Sequence, residues 1–92
     1  MNFNELANIV ACAFQQTMKE EGFETFAEMK KCYMWTPEDI KEEVDDIIRD
    51  ATFEDAYIDE LDGTLVFCSG QDMEYKRFQK LWNKALKSMP KD

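Results

Sequence analysis

The sequence predicts an α+β domain that is mostly helical, with the element order ααα-ββ-α and one antiparallel β-hairpin packed on the C-terminal helix. Two observations support this prediction. Three segments in the first half begin with helix-capping residues and continue with apolar residues three or four positions apart. The period then changes around the dipeptide Asp62-Gly63, which indicates a hairpin before a last amphipathic helix. No linker, repeat or low-complexity tract interrupts the chain, so residues 1–92 are predicted to form a single domain.

The first two helices are predicted mainly from the residues at their ends. Asn2 and Glu5 have the spacing of a capping pair, and apolar residues follow at helical spacing as far as Gly22. Glycine readily adopts the left-handed conformation with which helices commonly end. A second capping pair, Thr25 with Glu28, then opens a short second helix.

The third helix has the strongest start signal in the chain. Thr36 is placed to cap it, Pro37 occupies the first helical position, and Asp39 occupies the third. The apolar stripe that follows predicts a helix from Pro37 to about Ala51.

The two strands of the hairpin are predicted at residues 56–60 and 64–68, which are rich in β-branched and aromatic residues. Asp62-Gly63 between them is predicted to form a type I′ turn, in which both central residues have positive φ. Because a two-stranded ribbon is only marginally stable in water, one of its faces is expected to pack on the last helix.

The last helix is predicted to begin after Ser69 as its N-cap, with Asp72 at the third helical position, and to continue to Met89. One side is apolar and is predicted to be buried: Phe78, Leu81, Trp82, Ala85, Leu86 and Met89. The opposite side, called the basic face below, consists of Lys76, Arg77, Lys80, Lys84 and Lys87. At roughly 100° per residue, the two sides point about 165° apart.

The overall composition excludes several classes of function. Eleven basic and twenty acidic residues give a net charge of −9, which argues against general binding to nucleic acid or to anionic membranes. There is no His, so the usual general base and a usual zinc ligand are both missing. Neither a nucleophile elbow nor a glycine-rich phosphate loop is present. The sequence therefore predicts no enzymatic activity and no cofactor.

The cysteines and the beginning of the chain predict a cytoplasmic protein. Cys12, Cys32 and Cys68 are odd in number and form no C-x-x-C pair, and the chain opens without a secretory signal. Reduced thiols are therefore expected. Cys12 falls near the polar side of the first helix and is a candidate reactive thiol.

The acidic hairpin does not fit a calcium-binding loop. If Gly63 were the sixth residue of an EF-hand loop, Ile58 and Ser69 would occupy the first and twelfth positions, where carboxylates are required. No specific metal site is predicted.

The charge is divided unevenly along the chain. Residues 38–62 contain twelve acids and two bases, a net charge of −10, whereas residues 71–92 contain three acids and six bases, a net charge of +3. We call the following residues the acidic face: Glu38, Asp39, Glu42, Glu43, Asp46, Asp50, Asp55, Asp59, Glu60 and Asp62. Four pairs of like charges on the third helix stand four residues apart, which costs about 1–2 kcal/mol in total. This cost calls for an explanation.

Three explanations are open: a solvated surface, pairing with the basic face within or between subunits, or recognition of a basic partner. In the third, the acidic face occupies a protein surface that normally holds a nucleic acid. The composition is similar to that of small acidic inhibitors that viruses deploy against host nucleases, an analogy of composition alone. We therefore predict a non-enzymatic binding module, an inhibitor or regulator acting as a nucleic-acid mimic.

Two alternative functions are kept. The basic face could follow a phosphate backbone, which would make the protein a small regulator in contact with nucleic acid. The chain could instead be a subunit of a homo-oligomer or a larger complex, joined through exposed apolar edges. Trp35, Tyr57 and Tyr75 are predicted at such edges, where aromatic residues often dominate interfaces.

Overall fold

The chain folds as four helices and a three-stranded antiparallel sheet in the computed structural model, which describes residues 1–89. The elements are α1 (Phe3–Glu21), α2 (Phe26–Tyr33), α3 (Pro37–Thr52), β1 (Ala56–Asp59), β2 (Thr64–Phe67), β3 (Asp72–Glu74) and α4 (Tyr75–Ser88). The prediction of a mostly helical α+β fold, with a hairpin and a C-terminal helix packed on the strands, is confirmed. The predicted domain limit at residue 92 lies outside the described residues.

Local side-chain hydrogen bonds set the start of each of the first three helices, as predicted. The Asn2 carboxamide oxygen accepts a hydrogen bond from the Glu5 backbone N–H at 2.8 Å. Thr36 and Asp39 form a reciprocal capping box, with distances of 2.9 and 3.2 Å. Gly22 follows α1 with a φ of 78°, in the left-handed conformation that was expected there.

The predicted start of the last helix is wrong, because a third strand precedes it. Ser69 does not cap a helix, and Asp72 lies in β3, where it pairs with Val66 of β2. A turn at Gly70, with a φ of 106°, reverses the chain after β2. The helix α4 therefore begins only at Tyr75. Three residues are too few to produce a recognisable alternating pattern, and their extended conformation depends on pairing with β2.

The predicted type I′ turn is also wrong. Gly63 has a φ of 65°, but Asp62 is not among the residues with positive φ, and the loop between β1 and β2 has four residues, 60–63. The Asp59 carboxylate accepts the Leu61 backbone N–H at 2.9 Å, and the Asp59 carbonyl accepts the Gly63 N–H at 2.8 Å. These bonds stabilise the longer loop in place of the two-residue turn.

The core lies around α1, which packs most extensively against α4 and also contacts α2 and α3. Phe14 of α1, Phe26 of α2 and Trp82 of α4 meet there, with ring centroids 5.0 to 5.6 Å apart. Tyr75 is buried in the same core, so its prediction as an exposed edge anchor is wrong, whereas Trp35 is half-buried. Tyr75 is the first residue of α4 and faces inward because it lies on the same helical stripe as the buried Phe78 and Trp82.

One face of the sheet is buried and the other is open. Ala56, Ile58, Leu65 and Phe67 point into the core. The opposite face carries a row made of Tyr57, Val66 and Asp72, and a second row made of Asp59, Thr64 and Glu74. The core therefore covers the sheet on a single side.

The end of α3 contains an exposed aromatic residue in an unusual backbone conformation. Phe53 has a φ of 53° and is 94% exposed, and Glu54 follows with a φ of 67°. A left-handed conformation costs a non-glycine residue about 1–2 kcal/mol. We expect Phe53→Gly to raise the free energy of unfolding by about 0.5–1 kcal/mol, after the greater freedom of glycine in the unfolded chain is subtracted.

Leu61→Gly is the matched control for this prediction. Leu61 is 95% exposed but does not have a positive φ, so the same substitution relieves no strain there. Urea denaturation of both variants would measure the difference. A loss of stability in Phe53→Gly would show that the exposed ring contributes to folding.

Candidate acidic interface

The acidic face is largely open to solvent. Eight of its ten side chains are exposed: Glu38, Glu42, Glu43, Asp46, Asp50, Asp55, Glu60 and Asp62. Within residues 1–89, none of these eight carboxylates forms an ion pair or accepts a hydrogen bond from another group. Their charge is therefore available to an external partner.

The two remaining carboxylates of the acidic face accept hydrogen bonds from the backbone. Asp39 is half-buried and closes the capping box at the start of α3. Asp59 is half-buried and accepts hydrogen bonds from the backbone of its own loop, at Leu61 and Asp62. Both contribute negative charge, but neither is free to rearrange around a ligand.

Three side chains on one side of α3 bring the hairpin alongside the helix. The Asp45 carboxylate accepts the Ile58 backbone N–H at 2.8 Å, and the Thr52 hydroxyl accepts the Ala56 N–H at 3.1 Å. These bonds occupy outward-facing N–H groups on the free edge of β1, which protects that edge from other strands. The Lys41 ammonium lies 3.3 Å from the place that a Cβ would take at Gly63, so the loop also lies against the helix.

The acids of α3 and the acids of the hairpin form one surface, because α3 and β1 lie side by side in opposite directions. Asp45 contacts Ile58, whereas Thr52, which comes later in α3, contacts Ala56, which comes earlier in β1. The helix and the strand therefore run in opposite directions. The loop 60–63 therefore lies near the beginning of α3, and Asp55 lies near its end. The acidic charge extends along the whole helix on two adjacent elements.

Sequence reasoning missed two acids that belong beside this surface. Asp72 and Glu74 are exposed on β3, in the same cross-strand rows as Tyr57 and Asp59 of β1. They were placed at the start of a helix because β3 was not recognised. The dipeptide Ser69-Gly70 after a predicted strand was the available signal for a second turn and a third strand.

The cation Arg49 near the acidic face is already engaged. Its guanidinium forms an ion pair with Asp45 at 2.9 Å and lies 5.6 Å from the centre of the Tyr57 ring. Asp45 therefore differs from its neighbour Asp46, which is exposed and has no such partner. Helical spacing alone indicates the Asp45–Arg49 pair, whereas the contact of Asp45 with β1 depends on the fold.

The basic face does not neutralise the acidic face within the molecule. All five basic-face residues are exposed, and across the described part of the chain no ion pair joins α4 to α3. The helix α3 packs on α1 and β1, whereas α4 packs on α1, β2 and β3, towards the other edge of the sheet. Intramolecular pairing, one of the three explanations of the acidic charge, is therefore not observed in residues 1–89.

The negative charge of the acidic face affects the pKa of one buried residue, Tyr75. Burial raises the pKa of the Tyr75 hydroxyl to about 12, the nearby Trp82 side chain opposes this shift, and the negative charge of Glu38 adds to it. The Lys41 ammonium lies 5.6 Å from the centre of the Tyr75 ring. The Tyr75 hydroxyl is thus neutral at physiological pH. Tyr75 lies where α3, the loop 60–63 and α4 meet.

Other kinds of site are not formed by the described residues. Among residues 1–89, no group of three or more His, Cys, Asp or Glu side chains is placed to hold a metal ion. Cys12, Cys32 and Cys68 are exposed free thiols. No helix in the described part of the chain is long and apolar enough to cross a membrane.

The chain was compared with protein-family models, curated proteins and solved structures, and no significant match was found in any of them. Its function must therefore be argued from its own surface.

Proposed function

We propose that the protein is a non-enzymatic binding module whose acidic face occupies a basic surface of a partner protein, at a place that normally holds a nucleic acid. In this role it is an inhibitor or regulator of a nucleic-acid-binding protein. The observation that carries the proposal is the continuous array of exposed, unpaired carboxylates on α3 and the hairpin.

The energetic cost of this array supports a role outside folding. Like charges four residues apart on α3, such as Glu42 with Asp46 and Asp46 with Asp50, repel one another by about 0.2–0.5 kcal/mol for each pair. Asp46 and Asp50 also lie in the half of the helix where the dipole disfavours negative charge. Within residues 1–89 these side chains form no ion pair or hydrogen bond that would offset this cost, which supports a role of their charge in binding.

The charge density of α3 is comparable to that of a nucleic acid. Seven carboxylates between residues 38 and 50 lie along about 18 Å of helix, roughly one per 2.6 Å, and the five that are exposed and unpaired stand roughly one per 3.6 Å, against one per ~1.7 Å for duplex DNA. The hairpin acids add a second line beside the first. A basic groove built for a phosphate backbone would find a similar field here.

Reversal of two charges in the middle of α3 tests the proposal. Glu42→Lys with Asp46→Lys should leave folding intact and abolish capture of basic nucleic-acid-binding proteins from a cell lysate at ~50 mM salt. Capture by the natural chain should be lost by ~500 mM salt, because salt screens exposed charges. Duplex DNA added to the lysate should compete with it.

The matched control reverses two charges with the same spacing on the other charged helix. Lys80→Glu with Lys84→Glu should retain capture if the acidic face is the interface. Capture that survives the change on α3 would exclude the acidic face. Naked nucleic acid in the eluate, lost with the change on α4, would instead favour direct contact of the basic face with nucleic acid.

A further inference from the structure

A large groove lies outside the acidic face, because none of its described lining residues belongs to α3 or to the sheet. It is bounded by the end of α1, the beginning of α2 and the second half of α4, and its volume is about 1420 Å³. Apolar side chains line it: Met18, Phe23, Phe26, Leu86 and Met89. Four of these five are half-buried and thus partly accessible, whereas Met18 is buried.

Lysines surround this apolar floor. Lys80, Lys84 and Lys87 line the groove from α4, and Lys30 lines it from α2. The three lysines of α4 are exposed and follow one another over about 10 Å of helix. Lys76 and Arg77, the other two members of the basic face, are not part of the groove. The structure thus divides the basic face into a part with an apolar neighbour and a part without one.

The floor of the groove rests on rigid structure. Gly22 ends α1, and the Phe23 N–H donates to the Met18 carbonyl at 2.8 Å, which fixes the turn between α1 and α2. Phe26 packs on Trp82 with ring centroids 5.6 Å apart, and the Lys30 ammonium lies 5.5 Å from the centre of the Phe26 ring. The floor of the groove is therefore continuous with the core, against which Phe23, Phe26 and Leu86 pack.

We propose that this groove binds an amphipathic helix of a partner protein whose apolar stripe is flanked by acidic residues. Its volume exceeds the roughly 300–1,000 Å³ of small-molecule pockets, and an apolar floor between charged borders is what a helix-binding groove requires. Among the described residues that line the groove, five lysines (these four and Lys19) and one acid, Glu24, carry charge. The lysines therefore favour a partner whose flanks are acidic. A bare phosphate backbone would leave the aromatic and methionine side chains unused.

This site is independent of the acidic face. The acidic face favours a basic partner, whereas the groove favours an acidic one. The two sites can therefore be tested separately. With both sites occupied, the protein would join two partners of opposite charge.

The test uses a synthetic helical peptide of about 18 residues, five turns long, with Leu and Phe along one face and Glu on both flanks. Fluorescence anisotropy with the full chain should show binding that weakens at least about tenfold when the Glu residues of the peptide are replaced by Lys. Lys84→Glu with Lys87→Glu should weaken binding of the acidic peptide to a similar extent.

Lys76→Glu with Arg77→Glu is the control, because it makes the same change in charge on the same helix outside the groove. It should reduce binding less than threefold. Equal losses in the two variants would mean that only the general charge of α4 matters, and would overturn the proposal. So would equal binding of the acidic and basic peptides, or tighter binding of single-stranded DNA than of the acidic peptide.

Discussion

Replacement of Trp82 by Ala is expected to lower the free energy of unfolding by about 3–5 kcal/mol. Trp82 is 1% exposed and contacts both Phe14 and Phe26, so its removal opens a cavity where α1, α2 and α4 meet. A domain of this size commonly has only about 5–14 kcal/mol of stability. Thermal unfolding followed by circular dichroism should show a Tm lower by more than about 10 °C.

Trp82→Phe separates packing from the polar atom of the indole. The indole N–H is buried and makes no hydrogen bond of accepted geometry within residues 1–89, although the Tyr75 hydroxyl, which is itself unpaired, lies close enough for the indole to lower the Tyr75 pKa. Phe retains an aromatic ring next to Phe14 and removes this unsatisfied donor, whose burial costs about 1–3 kcal/mol. The Phe variant should therefore lose much less stability than the Ala variant. Equal losses would show that the N–H has a partner in solution, such as an ordered water molecule.

Replacement of Asp45 by Ala is expected to lower the free energy of unfolding by about 1.5–3 kcal/mol. The Asp45 carboxylate accepts the Ile58 backbone N–H and pairs with Arg49, so its loss frees the edge of β1 and releases a cation. Urea denaturation would measure the change. The edge should also become more accessible, which hydrogen exchange at the Ile58 amide would report as loss of protection.

Asp46→Ala is the natural comparison, because the same substitution is made one residue later. Asp46 is exposed and repels Glu42 and Asp50, and Ala is the better helix former. This variant should be as stable as the natural chain or more stable by several tenths of a kcal/mol. If Asp46→Ala destabilised the protein as much as Asp45→Ala, the acids of α3 would have a folding role and the proposed interface would lose its main support.

The two charged surfaces differ in what stands beside them. The acidic face lies next to the open face of the sheet, which is mostly polar although it includes the half-buried Tyr57 and Val66. The lysines of α4, in contrast, surround an apolar groove. Charge alone can govern a contact on the first surface, which should then be sensitive to salt. The second surface combines charge with apolar burial, so a contact there should persist to higher salt.

Elements whose signals are local could be predicted from the amino-acid sequence alone. The capping residues at Asn2, Thr25 and Thr36 act on backbone groups three positions away, so they could be recognised without a fold. The apolar stripe of α3 and the strands of the first hairpin were correct for the same reason. The list of acids on α3 also followed directly from helical spacing.

Features that depend on partners distant in the chain could not be predicted without the fold. The strand β3 exists because β2 offers it hydrogen bonds, and three residues carry no pattern of their own. Asp45 and Asp46 are neighbours in the sequence, yet Asp45 binds the edge of β1 and Asp46 faces solvent, because packing against the hairpin occurs on one side of α3 alone. The groove joins residues 15–30 to residues 80–89, which are far apart in the chain, so no local signal could have indicated it.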